Sequence, residues 1–474
     1  MVYSYSKLFI NGKWVEPADF EDNVNPYTKE IIGQIPLAGE KNISDAIISS
    51  VKAFEKTKKL SAYEKSLILE NIRDGIKKNA DLLAKIIVEE SGKPMQYAKG
   101  EVARAVMTFT IGIDEARRLG GEVFPVDIQQ NTKGYQGYYK RYPIGPVLAI
   151  SPYNFPLNLV AHKLVPAIAA GNTVILKPPP QAPFTSLKLA EIIAESGAPE
   201  GMINVVPTTV EFAEKLVRSN DIKMLTFTGS PKVGWYLKSI AGKKKVLLEL
   251  GGNAGAIVDE TADIDFSAKR LAIGGFANAG QVCISVQRIY VHENIYDDFL
   301  SKFKLAVESL PVGDPTKEDT VFGPLIDKNA ADKVERWIND AINNGAKIIT
   351  GAKRDGNIIE ATVISDVNKN LPLYCEEVFG PVVITEPFSE FKDAVYKLND
   401  SQYGLQAGIF TNDLKHTFYF IDNLDVGGVI INDYPTFRVD NMPYGGIKDS
   451  GLGREGVKYA LDEMTEIKSV IFKL

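Results

Sequence analysis

Cysteine is scarce in this chain: 474 residues contain two, Cys283 and Cys375, far apart and without C-x-x-C spacing. That pattern suggests neither a disulfide framework nor a zinc knuckle, and a reducing, cytoplasmic compartment is the expectation. Histidine is nearly as rare, with His162, His292 and His416 the whole supply. A basic excess is missing too: 54 Lys and Arg stand against 60 Asp and Glu, for a net charge of −6. With no Lys/Arg-rich run to track a phosphate backbone, nucleic acid is not an expected partner. Long apolar runs are absent. The longest uncharged stretch, residues 142–161, is interrupted by Pro143, Pro146, Pro152 and Pro156, so no membrane helix is expected. The opening MVYSYSKLFINGKWVEP lacks the basic start and apolar core of a secretion signal. No clustered metal ligands are visible, and no metal is expected. Gly-x-Gly-x-x-Gly, the usual dinucleotide fingerprint, does not occur.

The length calls for two or three lobes. Asn11-Gly12 between apolar residues predicts a hairpin. Residues 41–118 carry apolar positions at helical spacing and predict several packed helices. From about 144 onward, short apolar runs (147–151, 173–177, 203–206, 224–228, 246–250) alternate with amphipathic segments of helix length. That is the βαβ signature of a parallel sheet in a dinucleotide-binding type of lobe. Runs at 289–291, 346–349, 382–384 and 428–432 predict a second α/β lobe.

Cys283 lies in NAGQVCIS, residues 278–285, among small and polar neighbours. Gly280 gives this backbone the freedom to approach a ligand closely. Cys375, in LYCEEVFG, sits beside two glutamates whose charge opposes thiolate formation, so Cys283 is the better nucleophile. Histidine is the common base for such a thiol, but His292 and His416 read as surface residues. The single carboxylate of LLELGG, Glu249, ends an apolar strand before two glycines. Desolvation there lifts it toward the range of a general base, and a hydrogen-bonded structural role is the competing reading.

NAGQVCIS, LLELGG, SPYNFPL, FTGSPKVG, EEVFGPV and PYGGIKDSGLGREG together resemble the aldehyde dehydrogenase superfamily, in order and in spacing, over nearly the whole chain. The resemblance implies an α/β fold of two Rossmann-type open parallel-sheet lobes with a small β oligomerisation arm. Residues 1–118 and 142–250 would form the dinucleotide-binding domain and 251–446 the catalytic domain. The arm would take 119–141 and 453–474, making a homodimer or homotetramer. In the family's chemistry Cys283 attacks the aldehyde to give a thiohemiacetal. Asn154 and the Cys283 backbone N–H receive the oxyanion, hydride passes to a nicotinamide, and Glu249 activates the water that frees the acid. Coenzyme A-acylating relatives usually lack that glutamate. A non-enzymatic descendant would have lost these groups, yet Cys283, Glu249, Asn154 and Lys177 are all present.

For the cofactor, the resemblance implies contacts from Ser151, Pro152, Lys177, Gly229, Ser230, Gly251, Glu377 and Phe379. FTGSPKVG reads as strand, turn and helix start, whose free N–H groups can take a pyrophosphate. Relatives that prefer NAD usually carry a glutamate after the lysine of KP; here KPPPQAP places Pro180 there. Nothing then repels a 2′-phosphate while Lys177 attracts it, so NADP is expected to be preferred over NAD. VVPTTVEF offers Thr208 as a further phosphate contact. For the substrate, Asn154, Asn158 and His162 recur at four-residue spacing along the helix expected to start at the asparagine. They form either a polar stripe toward a small hydroxyaldehyde or hydrogen bonds to neighbouring loops. Arg438, expected near the channel mouth, and Arg104 either hold an anionic substrate, as in the non-phosphorylating glyceraldehyde-3-phosphate dehydrogenase branch, or serve as ion-pair partners. That branch commonly has an arginine directly before the nucleophile, and here the residue is Val282. Glyceraldehyde or lactaldehyde is therefore favoured over glyceraldehyde 3-phosphate and succinic semialdehyde.

Overall fold

The computed structural model describes residues 3–473. Asn11 and Gly12 both take positive φ (54° and 73°), as a two-residue hairpin turn demands, and pair Leu8 with Val15 and Ile10 with Lys13. The hairpin adds antiparallel, through Phe9 and Val205, to the edge of an eight-stranded sheet. Five parallel strands make its centre, in the order Ile203–Val205, Val174–Lys177, Val147–Ile150, Met224–Thr228, Lys245–Glu249. Their near-continuous apolar character follows from burial on both faces. On one face the helices Ala62–Lys78, Met95–Arg118 and Asn158–Ala170 share a core that includes Leu69, Phe109 and Val165. On the other, Glu40–Thr57, Val210–Arg218 and Pro231–Ile240 contribute Ile43, Leu216 and Leu237.

A seven-stranded sheet builds the second lobe, in the order Lys347–Thr350, Thr362–Ser365, Val382–Phe388, Val286–His292, Ala254–Val258, Gln406–Phe410, Gly428–Ile431. The run expected at 346–349 is an antiparallel edge strand rather than another parallel one, because it pairs with Thr362–Ser365. Strands Ala254–Val258 and Gln406–Phe410 escaped the sequence reading. Their Ala and Gly content gives little strand propensity, and burial between two parallel neighbours forms them instead.

A third, antiparallel sheet joins Gly121–Phe124, Tyr135–Pro143 and Thr465–Lys473. It leaves Val123, Ile467, Ile471 and Phe472 exposed. The expected arm boundary at 453 is corrected: Val457, Ala460, Leu461 and Met464 are buried in the first lobe's core, and the arm strand begins at Thr465. Among the described residues no helix is long and apolar enough to cross a membrane.

Candidate active site

Three successive residues, Asn278, Ala279 and Gly280, hold left-handed backbone (φ 53°, 56° and 68°) immediately before Cys283. Two of them carry side chains, so the loop is strained and is held by its surroundings. Gln281 supplies much of that hold. Its amide donates to the carbonyls of Asn278 (3.2 Å) and Pro324 (3.3 Å) and accepts from the Ile326 N–H (2.9 Å). Gly280 is required for a reason other than the expected one. A Cβ there would lie 2.2 Å from the Gly380 carbonyl oxygen, so the close approach is to neighbouring backbone rather than to a ligand.

The loop brings Cys283 against chain from two distant segments. The Tyr444 hydroxyl lies 3.0 Å from Cys283 Sγ. A Cβ on Gly252, just past the strand that ends in Glu249, would meet the Cys283 carbonyl at 2.3 Å, and one on Gly445 would meet Glu249 Oε1 at 2.7 Å. The Glu249 carboxylate is near enough for its charge to act on the Cys283 thiol. Glu249 is buried and neither of its oxygens has a hydrogen-bond partner. Burial first, then the charge of Glu455, raises it well above the usual carboxylate range, against the pull of Arg438, Lys163 and Arg454. Burial likewise pushes the Cys283 thiol up to about 12, although the Tyr444 hydrogen bond and Arg438 act the other way. Asn154 Nδ2 donates to the Gln281 carbonyl at 3.0 Å, which places its amide beside the nucleophile loop with one hydrogen unspent. Cys375 is exposed, its thiol is raised by burial and then by Glu376, and it donates to the Leu371 carbonyl at 3.3 Å. Neither His292 nor His416 reaches the cavity.

Cys283 opens onto a cavity of about 380 Å³ whose wall includes Phe155, Asn158, Arg104, Arg438 and Tyr444. The helix expected to start at Asn154 starts at Asn158, since Pro152 and Pro156 prevent an earlier turn. The three-residue polar stripe is therefore not formed. Asn154 faces the Gln281 loop, while Asn158 Nδ2 and His162 Nε2 both lie 3.0 Å from Asp440 Oδ1. His162 is fully buried behind that carboxylate and does not line the cavity, which corrects its expected place in the substrate pocket. Burial, then Arg438, lowers its pKa, so it stays neutral and donates to Asp440. Arg104 also engages Asp440, through Nη2 at 2.7 Å and Nε at 3.3 Å. Burial alone would raise Asp440; the bonds from His162 and Arg104 hold it well below the carboxylate range. Arg438 is not at a channel mouth. Its side chain is 8% exposed, pairs with Glu455 at 3.2 Å and lies over the Tyr444 ring at 3.7 Å.

Sequence reasoning overlooked Asp440, Tyr444, Lys163, Glu455 and the Lys93–Glu101 pair. Lys163 left a signal: it is a lone cation in the otherwise apolar helix NLVAHKLVPAIAA, fully buried and tied to Glu455 (3.1 Å) and Thr228 (2.7 Å). Glu101 Oε1 accepts the Leu157 and Asn158 N–H groups at 2.8 and 3.0 Å and caps the same helix. Tyr444 and Asp440 offered none, because only the tertiary fold brings them to the thiol.

On the far side of Cys283 the first sheet reverses its strand order between Val147–Ile150 and Met224–Thr228. In open parallel sheets that switch point is where dinucleotides dock. Ser151 and Pro152 follow the first strand, and Gly229 and Ser230 follow the second. Ser230 sits at the N-cap of Pro231–Ile240 with its side chain making no capping bond, which leaves the helix N-terminus open. A pocket of about 420 Å³ connects Ser230, Lys333 and Glu377. Glu377 accepts the Gly252 N–H at 3.1 Å and is brought up to about 7 by burial. Gly251 packs against that carboxylate, where a Cβ would lie 2.5 Å from Oε2. Phe379 stands edge-on to Tyr153 at 6.1 Å. The Ser151 hydroxyl is buried without a partner, and burial lowers Lys177 to about 8. An open helix N-terminus, an unsatisfied hydroxyl and a lone lysine fit a nicotinamide dinucleotide. Thr208 does not join them: its hydroxyl is buried and spent on the Ala38 carbonyl at 2.8 Å, which corrects the expected phosphate contact. Among the described residues no cluster of His, Cys, Asp and Glu could hold a metal ion.

Comparison with known proteins shows the family. The aldehyde dehydrogenase family profile matches residues 14–470. The chain is 43% identical over 468 residues to a 3-sulfolactaldehyde dehydrogenase of Priestia megaterium, covering 98% of each. It is 41% identical to a lactaldehyde dehydrogenase of Methanococcus aeolicus, covering 98% of this chain and 99% of that one. A glyceraldehyde-3-phosphate dehydrogenase from Methanocaldococcus jannaschii, solved with NADP, superposes with a TM-score of 0.93 at 40% identity, over 96% of this chain and 100% of that one. The chain belongs to the aldehyde dehydrogenase family of oxidoreductases.

Proposed function

We propose that this enzyme oxidises a small 2-hydroxyaldehyde, lactaldehyde or glyceraldehyde, to its carboxylic acid with NADP in preference to NAD. The observation that carries the reading is that Cys283 opens onto a cavity whose three lining cations each face a carboxylate. Lys93 pairs with Glu101, Arg104 with Asp440 at 2.7 Å, and Arg438 with Glu455 at 3.2 Å. Cations each held by a carboxylate are less available to a phosphate, which favours a neutral hydroxylated aldehyde over a phosphorylated one.

In this reading the Cys283 thiol loses its proton to Glu249, whose bare oxygens are the available acceptors, and the sulfur bonds to the aldehyde carbon. The charge that moves onto the carbonyl oxygen is received by the unspent hydrogen of Asn154 Nδ2 and by the Cys283 N–H. A nicotinamide dinucleotide, when bound, supplies the hydride acceptor. Ser151, Pro152, Lys177, Gly229, Ser230, Gly251, Glu377 and Phe379 would hold it. Having released the thiol's proton to solvent, Glu249 then draws a proton from the water that attacks the thioester carbonyl, and the S–C bond breaks to return Cys283 as its thiolate. Pro180 supports the NADP preference, being exposed where a carboxylate would repel a 2′-phosphate. The apolar edge of the three-stranded arm supports a homo-oligomer.

A second reading has one observation in its favour. Arg104 spends Nε and Nη2 on Asp440, its side chain is 31% exposed, and Nη1 remains for an anionic tail such as a sulfonate or carboxylate. Steady-state kcat/KM over lactaldehyde, glyceraldehyde, glyceraldehyde 3-phosphate and succinic semialdehyde tests the choice. A clear preference for either anionic substrate reverses the order. Cys283→Ala should abolish oxidation of all four while cofactor binding persists.

A further inference from the structure

Tyr444 is buried to 3% exposure, and the only hydrogen-bond partner of its hydroxyl among the described residues is Cys283 Sγ, at 3.0 Å. The residue is immobile. Its backbone N–H and carbonyl are both bonded to Glu455, at 3.0 and 2.7 Å, and its ring is clamped under the Arg438 guanidinium at 3.7 Å. In the free enzyme the phenol donates to the sulfur or accepts from it. Once the sulfur has bonded to an aldehyde carbon, it is a weakly accepting thioether and the phenol is left buried without an adequate partner.

Two polar groups of the wall are committed elsewhere. The Thr436 hydroxyl donates to the carbonyls of Gly274 (2.9 Å) and Ile284 (3.0 Å). Asn158 gives its amide to Asp440 (3.0 Å) and accepts from Thr108 (2.9 Å). The residues flanking the thiol in sequence, Val282 and Ile284, are apolar. A hydroxyl on the carbon next to the carbonyl is two bonds from the atom that the sulfur attacks, within reach of a phenol that touches that sulfur.

We propose that Tyr444 is the group by which this site selects 2-hydroxyaldehydes: its phenol holds the Cys283 sulfur in the free enzyme and passes to the substrate's 2-hydroxyl when the sulfur bonds to C1. This rests on the aldehyde-oxidising reading above. In the step the S–H bond breaks with its proton passing to Glu249, the S–C1 bond forms and the carbonyl π pair moves onto O1, while the phenol exchanges one hydrogen-bond partner for another and keeps its proton.

Lactaldehyde and propionaldehyde differ by that hydroxyl alone. The native enzyme should prefer lactaldehyde by roughly ten-fold or more in kcat/KM, the worth of one buried hydrogen bond. Tyr444→Phe should bring the two near parity, lowering kcat/KM for both through the thiol it no longer holds and for lactaldehyde by about ten-fold more. Iodoacetamide alkylation of Cys283 gives a readout without turnover. The thiol faces Tyr444, Arg438, Glu249 and Glu377. Losing the phenol's donor should move its alkylation–pH profile to higher pH. The proposal is overturned if the native enzyme does not discriminate between the two aldehydes, a result that does not depend on whether the variant folds. It is equally overturned if Tyr444→Phe preserves the preference. Failure of the native enzyme to oxidise either aldehyde would instead refute the parent reading, and this one with it.

Discussion

Removing the Asp440 carboxylate should destabilise the protein through the groups it leaves behind. Asp440 is 4% exposed and accepts from Arg104 Nη2 (2.7 Å) and Nε (3.3 Å), Asn158 Nδ2 (3.0 Å) and His162 Nε2 (3.0 Å). In Asp440→Ala the two buried donors, Asn158 and His162, lose their acceptor at about 1 to 3 kcal/mol each. Arg104, about a third exposed, turns to water and adds little. The loss is then about 3 kcal/mol. In a chain of this length about 1 kcal/mol moves Tm by roughly 1 °C, so the melt should fall by about 3 °C. Asp440→Asn keeps an acceptor at Oδ1 and gives up the charge, for about half that loss. Thermal unfolding of native, Asp440→Ala, Asp440→Asn and Arg104→Ala proteins, with the Asp440→Ala/Arg104→Ala double variant, closes a cycle whose coupling should be about 1 kcal/mol. KM for the aldehyde should rise in both Asp440 variants, because Asn158 and Arg104 lose their fixed place in the wall. An Asp440→Ala protein that melts with the native one, or a cycle that is strictly additive, would refute the role of Asp440 as the hub of this wall.

Two further outcomes are expected. Pro180→Glu places a carboxylate where a 2′-phosphate would lie, and like-charge repulsion should raise KM for NADP about ten-fold while leaving KM for NAD little changed; an unaltered NADP/NAD ratio contradicts the assigned cofactor preference. Because burial raises the Cys283 thiol to about 12, the thiolate is the minor form throughout the neutral range, and it grows as pH rises toward that value. Iodoacetamide should therefore alkylate the free enzyme about ten-fold faster for each pH unit between 7 and 10. A plateau reached below pH 8 would show a thiol activated before substrate arrives.

Much of this site could be read from the chain because its chemistry sits in short local motifs. Glu249 at a strand end before two glycines and Cys283 in a small-residue loop each announce a backbone that must approach something closely. The five central strands of the first sheet were equally plain, since strands buried on both faces are near-continuous apolar runs. Strand Ala254–Val258 was not, because tertiary burial rather than intrinsic preference makes it a strand. The substrate wall was the least legible part. Four-residue spacing placed Asn154, Asn158 and His162 on one helix face, but Pro156 delays the helix to Asn158. Both remaining side chains then turn to Asp440, which lies 278 residues beyond His162 in sequence. Arg104 and Arg438 drew notice as lone cations, and both are paired with carboxylates that no local pattern connects to them.

The division of labour between Cys283 and Glu249 is tested most directly by intact-protein and peptide mass spectrometry of Glu249→Gln after mixing with lactaldehyde and cofactor. The carboxamide cannot take a proton from water, so the acyl group should remain on Cys283 at close to one equivalent per chain. A single equivalent of reduced cofactor should accompany it, and steady turnover should fall by about 10²- to 10⁴-fold. Full turnover without an adduct on the Cys283 peptide would contradict the account.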